Sequence, residues 1–93
     1  MIYESSRSIT CSVSPEWARR LAGRAEPAWE LSWRPAPLLT REQACAALAL
    51  TELCSAGSEP DESAELLARQ LDTTVAHVMA VLQQRRRDRG EGA

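Results

Sequence analysis

The predicted fold is α+β: a two-stranded N-terminal ribbon with a short helix, followed by a three-helix C-terminal bundle. Two stretches of period-two alternation and three capped helical runs predict it. Residues 7–13, RSITCSV, place Ile9, Cys11 and Val13 on one side, the pattern of a half-buried strand. Residues 28–34, AWELSWR, do the same with Trp29, Leu31 and Trp33. Between them Ser14-Pro15-Glu16 reads as a helix start, with Ser14 as N-cap and Pro15 at the first helical position, and Gly23 as the stop. Residues 7–34 are thus strand, helix, strand, with either strand pairing allowed by the connection, and Pro35 and Pro37 end the second strand.

Thr40-Arg41-Glu42-Gln43 is a capping box, in which the hydroxyl takes a free backbone N–H and Gln43 reaches back to the cap. It opens a helix over 40–57 that Gly57 closes. On its wheel Cys45, Leu48, Ala49, Leu53 and Ala56 form one face, and Ala47, Leu50 and Cys54 the opposite one. A helix apolar on both sides is either central to its fold or half exposed at a partner interface. Residues 58–61 are a polar loop whose Ser58 or Asp61 caps a helix over 61–71. Asp72 to Thr74 turn the chain, and Thr73 or Thr74 caps a last helix over 74–88 that frays within Arg85 to Arg89 into a disordered tail, 89–93.

Ninety-three residues with 44% hydrophobic and 26% charged side chains suit one domain, 1–93, with one modest core. The net charge of −2 supplies no general field for nucleic acid or an acidic membrane, so any attraction to phosphate must be local. All eleven basic residues are Arg, which with the abundant Ala reads as the codon bias of a GC-rich genome. The N-terminal MIYESSRSIT has neither a basic nor an apolar leader region, and no apolar run approaches the ~20 residues of a membrane span. A cytoplasmic location is expected, with no membrane partner. Cys11, Cys45 and Cys54 make an odd count without CxxC spacing, and His77 is the sole His, so neither a disulfide framework nor a metal site is expected.

Residues 63–84, SAELLARQLDTTVAHVMAVLQQ, make the C-terminal bundle helix-turn-helix-like, with Ala68, Leu71 and Val78 at its small and core positions. The wheel of the second helix gathers Val75, Val78, Met79 and Leu82 inward and leaves Ala76, His77, Ala80, Gln83, Gln84 and Arg87 outward. His77, Gln84 and Arg87 suit base edges, and Ala80 suits a thymine methyl. The usual register of such a motif would instead turn Val75 and Met79 to DNA, an apolar pair that reads no base. Arg85, Arg86, Arg87 and Arg89 suit phosphates, or equally the dipole of their own helix C-terminus. Trp17, Trp29 and Trp33, with Tyr3, are the only aromatics; core packing of Trp29 and Trp33 over the 40–57 helix stands against an exposed hot spot at Trp33 and Arg34. Catalysis has almost nothing to work with, lacking a nucleophile at fixed spacing from His77, a phosphate loop or a metal motif. No enzyme, cofactor or small-molecule substrate is expected.

The segment WELSWRPAPLLTREQA, Trp29 to Ala44, resembles a pattern of small uncharacterised proteins of GC-rich actinobacteria and their mobile elements, a Trp-x-x-Ser-Trp strand followed by Leu-Thr-Arg-x-Gln-Ala opening a helix. The likeness covers sixteen residues and implies a shared strand-to-helix corner. Separately, LLARQLDTTVAHVMAVL resembles the helix-turn-helix of bacterial regulators, departing from it in Asp72 at the Gly position and in lacking Arg, Lys or Asn early in the second helix.

Two functions follow as expectations. One is a dimeric DNA-binding transcriptional regulator, with His77, Gln84 and Arg87 near bases, Arg85, Arg86 and Arg89 near phosphates, Thr74 also among the DNA-binding residues, and Ala47, Leu50 and Cys54 as the homodimer interface. The other is a non-enzymatic adaptor that grips another regulatory or phage protein through that same helix face or through Trp33 and Arg34.

Overall fold

The structure is a computed structural model that describes residues 1–55 and 61–90. Five strands come first: β1 (Ile2–Glu4), β2 (Ser8–Cys11), β3 (Ser14–Arg20), β4 (Trp29–Leu31) and β5 (Arg34–Leu39). Three helices follow, α1 (Arg41–Ser55), α2 (Glu62–Gln70) and α3 (Val75–Asp88). The strands form one antiparallel meander in the order β1-β2-β3-β4-β5. The fold is α+β as expected, with a five-stranded sheet where a two-stranded ribbon was predicted and with no helix between residues 14 and 23.

Three local features account for β3, β4 and β5; β1 is a further strand added before the expected ribbon. Ser14 does accept a nearby backbone N–H, but from Glu16 at 3.3 Å, a short turn that leads into a strand. From there period two takes over, with Glu16 and Ala18 buried and Arg19 exposed, and Pro15 sits near the start of β3 where a missing N–H is tolerated. Gly23 ends no helix; it has φ +77 in the loop joining β3 to β4, which Leu21 N–H closes by donating to Ala28 O at 2.9 Å. Finally, the predicted 28–34 strand breaks at Ser32-Trp33, a two-residue turn that returns the chain as β5. Pro35 and Pro37 lie inside β5, an edge strand that needs no full set of N–H donors.

α1 lies on the inner face of the sheet, touching all five strands and both other helices. Its capping box forms as predicted: Gln43 N–H donates to Thr40 Oγ1 at 3.1 Å and Thr40 N–H to Gln43 Oε1 at 3.0 Å. Burial on both sides follows from this central place, with Ala44, Ala47, Leu48, Leu50 and Thr51 all shut off from solvent. The alanines let the sheet on one side and α2 on the other approach closely. The expected helix end at Gly57 and cap at Ser58 fall outside the described residues. α2 and α3 touch α1 and each other, and side-chain bonds tie α3 to β3 and the end of α2 to β5.

Trp29 and Trp33 are core residues, 1% and 5% exposed, as the alternation implied. Trp33 Nε1 donates to Thr51 Oγ1 on α1 at 2.9 Å, while Trp29 Nε1 is buried without a partner. Trp17 is not in the core; it lies half-buried on the outer face of the sheet under Arg19, whose guanidinium carbon is 4.5 Å from the ring centroid.

Candidate nucleic-acid interface

The α2–turn–α3 unit is assembled by local capping. Asp61 is the N-cap of α2, its carboxylate accepting from Ala64 N–H at 3.3 Å. At the other end Asp72 adopts φ 56, Thr73 N–H donates to Ala68 O at 3.0 Å and Asp72 N–H to Arg69 O at 3.0 Å, the paired bonds of a Schellman C-cap. Asp72 thus holds the left-handed position that usually belongs to Gly. Thr74 then caps α3 by accepting from His77 N–H at 3.2 Å. Four residues, 71–74, turn the chain from one helix into the next.

The inward face of α3 is the predicted one, with Val75, Val78 and Leu82 buried and Met79 half-buried against them. Val75 and Met79 therefore pack into the core and do not face outward. Ala76, His77, Ala80, Gln83, Gln84 and Arg87 form the outward ridge, and Arg86 is exposed beside it. Gln84 Nε2 is engaged with Asp88 Oδ1 at 3.0 Å, which also brings a negative charge to the C-terminal end of the ridge. Asp61, Glu62 and Glu65 make the first turn of α2 acidic.

Arg85 and Arg89, placed among phosphate contacts and in a fraying end by the sequence, are instead turned back onto the sheet. Arg85 Nε donates to Glu16 Oε2 at 2.6 Å and Arg89 NH1 to the same oxygen at 3.3 Å. Ser32 Oγ donates to Glu16 Oε1 at 2.9 Å and accepts Trp17 N–H at 2.9 Å. Glu16 is 2% exposed, and burial alone would raise its pKa; the bonds from Arg85 and Ser32, the Arg85 charge and the Arg89 bond outweigh burial and hold it below the usual carboxylate range. α3 stays helical through Asp88, with Arg89 as its C-cap, so residues 85–89 neither fray nor begin a tail; Glu91 to Ala93 lie outside the described residues.

The interface expected on α1 is interior. Ala47 and Leu50 are fully buried and Cys54 is half-buried against the same core, covered by the chain's own layers. Trp33 is closed off in the β4–β5 turn, and the half-buried Arg34 donates through NH1 to Leu71 O at the end of α2. Neither residue is presented as a hot spot. Glu16 was missed because its arginine partners lie 69 and 73 positions away; the one available sign was a carboxylate on the inward phase of a period-two stretch.

Cys45 Sγ donates to Glu4 Oε1 at 3.0 Å, and burial, that bond and the Glu4 charge push its pKa up to about 11. Burial also raises Cys11 and Cys54. Among the described residues no three His, Cys, Asp or Glu side chains gather where a metal ion would sit, and no helix is long and apolar enough to cross a membrane. No protein-family model, curated protein or solved structure matches the chain.

Proposed function

We propose that the protein is a small DNA-binding regulator that places α3 in the major groove. The observation that carries this is the outward ridge of α3, His77, Ala80, Gln84 and Arg87, held polar and uncovered by a tight, fully capped turn from α2. Fourteen residues give a helix of about 21 Å. A groove about 12 Å wide admits such a helix with its polar ridge toward the bases. Arg86 and Arg87 supply the phosphate contacts, since Arg85 and Arg89 are committed to Glu16. With so few cations the electrostatic contribution is small, and the acidic first turn of α2 lowers it further. Two copies on neighbouring half-sites would supply the site length that one helix lacks, using a surface other than Ala47, Leu50 and Cys54. An adaptor would likewise need a surface elsewhere.

The test is retention of the purified protein on mixed genomic DNA fragments at low and moderate salt, with bound fragments sequenced. Wild type is expected to enrich a sequence, with retention falling as salt rises by a slope of about 0.9 per phosphate contact. Arg86→Glu with Arg87→Glu is expected to abolish retention while the protein stays folded, with Tm lowered by several degrees, because both side chains are exposed but lie in the last turn of α3 where the helix dipole disfavours acids. Absence of retention at low salt would overturn the proposal.

A further inference from the structure

At the end of β3 remote from Glu16, the structure forms an open cleft of about 470 Å³ lined by Arg7, Arg20, Leu21, Ala22, Gly23 and Arg24. Three of these six residues are arginines. Arg7 and Arg20 are neighbours on adjoining chain segments, Arg20 N–H donating to Arg7 O at 2.8 Å, and Arg24 follows Gly23 in the β3–β4 loop. Like charges held opposite each other on adjoining strands repel, so this placement weakens the empty protein. Among the described residues none of the three side chains has a hydrogen-bond, ion-pair or ring partner. The carboxylates at this end of the sheet are otherwise engaged or turned away: Glu4 with Arg41 and Cys45, Glu30 with Arg19, and Glu26 lining a separate depression with Thr40 and Arg41. Gly23, at φ +77, leaves open space where a Cβ would stand.

We propose that this cleft binds a small phosphate-bearing molecule, a phosphate or phosphomonoester dianion clamped by Arg7, Arg20 and Arg24. Planar guanidiniums match phosphate oxygens in bidentate pairs, and three of them neutralise two negative charges while relieving their own repulsion. The volume lies in the range of small-molecule sites. The site lies apart from α3 and does not depend on the DNA-binding proposal.

The full chain is titrated with inorganic phosphate and with adenosine monophosphate at pH 7.5, followed by the backbone amide resonances of Leu21 to Arg24, against sodium chloride at equal ionic strength. Saturable shifts at those amides, absent with chloride, are expected. Arg20→Gln and Arg24→Gln should each weaken binding at least tenfold. Tighter binding of adenosine monophosphate would identify an ester as the source, and equal binding would identify free phosphate. Without ligand both variants should melt at or above the wild-type temperature, since each loses a repulsion and no contact, and DNA retention should not change. Identical shifts with chloride, wild-type affinity in both variants, or no saturation at the cleft would overturn the proposal.

Discussion

Replacing Arg85 by Ala should cost more stability than replacing its partner Glu16 by Ala. The side chain of Glu16 is 2% exposed, whereas those of Arg85 and Arg89 are 36% and 30% exposed. If the carboxylate is removed, two partly hydrated guanidiniums return to water; the loss is one charged hydrogen-bond set and a small void, about 1–2 kcal/mol. If Arg85 is removed, a buried carboxylate keeps only Ser32 and the longer Arg89 bond. Stripping a buried pair of one partner costs roughly 3–5 kcal/mol when nothing else compensates. The two remaining donors bring this to about 2–3 kcal/mol, or roughly 10–20 °C in Tm for a domain of this size. In the double variant nothing is stranded, so its cost should fall near that of Glu16→Ala, a coupling of about 2 kcal/mol. Urea unfolding followed by tryptophan fluorescence measures all three. Additivity within ~0.5 kcal/mol, or an Arg85→Ala cost below that of Glu16→Ala, would refute the reasoning. The pH dependence follows with a definite sign. The folded-state pKa of Glu16 is depressed, so its contribution is present above the unfolded value near 4.5 and is lost as pH falls through the folded value; Glu16→Gln should remove that part of the acid transition.

Asp72→Gly should stabilise the protein by about 0.5–1 kcal/mol, because Gly adopts the φ of 56 without the Cβ clash; a lower urea midpoint would show that the carboxylate contributes more than the backbone suggests. Cys45, with its thiol pushed up to about 11, should react with a thiolate-specific reagent at pH 8 about two orders of magnitude more slowly than in urea. Because that pKa is raised on folding, the associated stability is whole below pH ~8.5 and is lost as pH rises toward 11, and Cys45→Ala should flatten this alkaline decline. Trp33→Phe should cost about 1 kcal/mol more than Trp29→Phe: the first deletes the bond to Thr51, the second removes a buried N–H that had no partner. Equal costs in thermal unfolding would contradict this.

What was legible in the chain was what is settled within a few residues. The Thr40–Gln43 box, the Asp61 and Thr74 caps and the inward face of α3 all depend on neighbours three or four positions away, and all form as expected. The sheet was harder because its turns lack the usual marks. Ser32-Trp33 reverses the chain without Gly, Asn or a positive φ, so two strands read as one followed by a proline stop. Ser14-Pro15 carries a helix-start pattern that the alternation of Glu16 and Ala18 overrides, since an extended chain buries both on one face of the sheet. The candidate interface divided the same way. The polar ridge of α3 followed from its wheel, whereas the use of Arg85 and Arg89 rests on a strand almost seventy residues earlier, and no local rule sees that far.

An open meander leaves two strands with one unpaired side each, and such edges invite sheet-to-sheet addition between copies. Here β5 offers six residues of which Pro35 and Pro37 have no N–H to give, and β1 offers only three. Neither edge presents a continuous hydrogen-bonding ladder. A chain with little net charge and an alanine-rich centre thereby carries its own protection against fibril-like stacking, and any symmetric pairing of two copies is directed away from the sheet edges and toward side-chain surfaces.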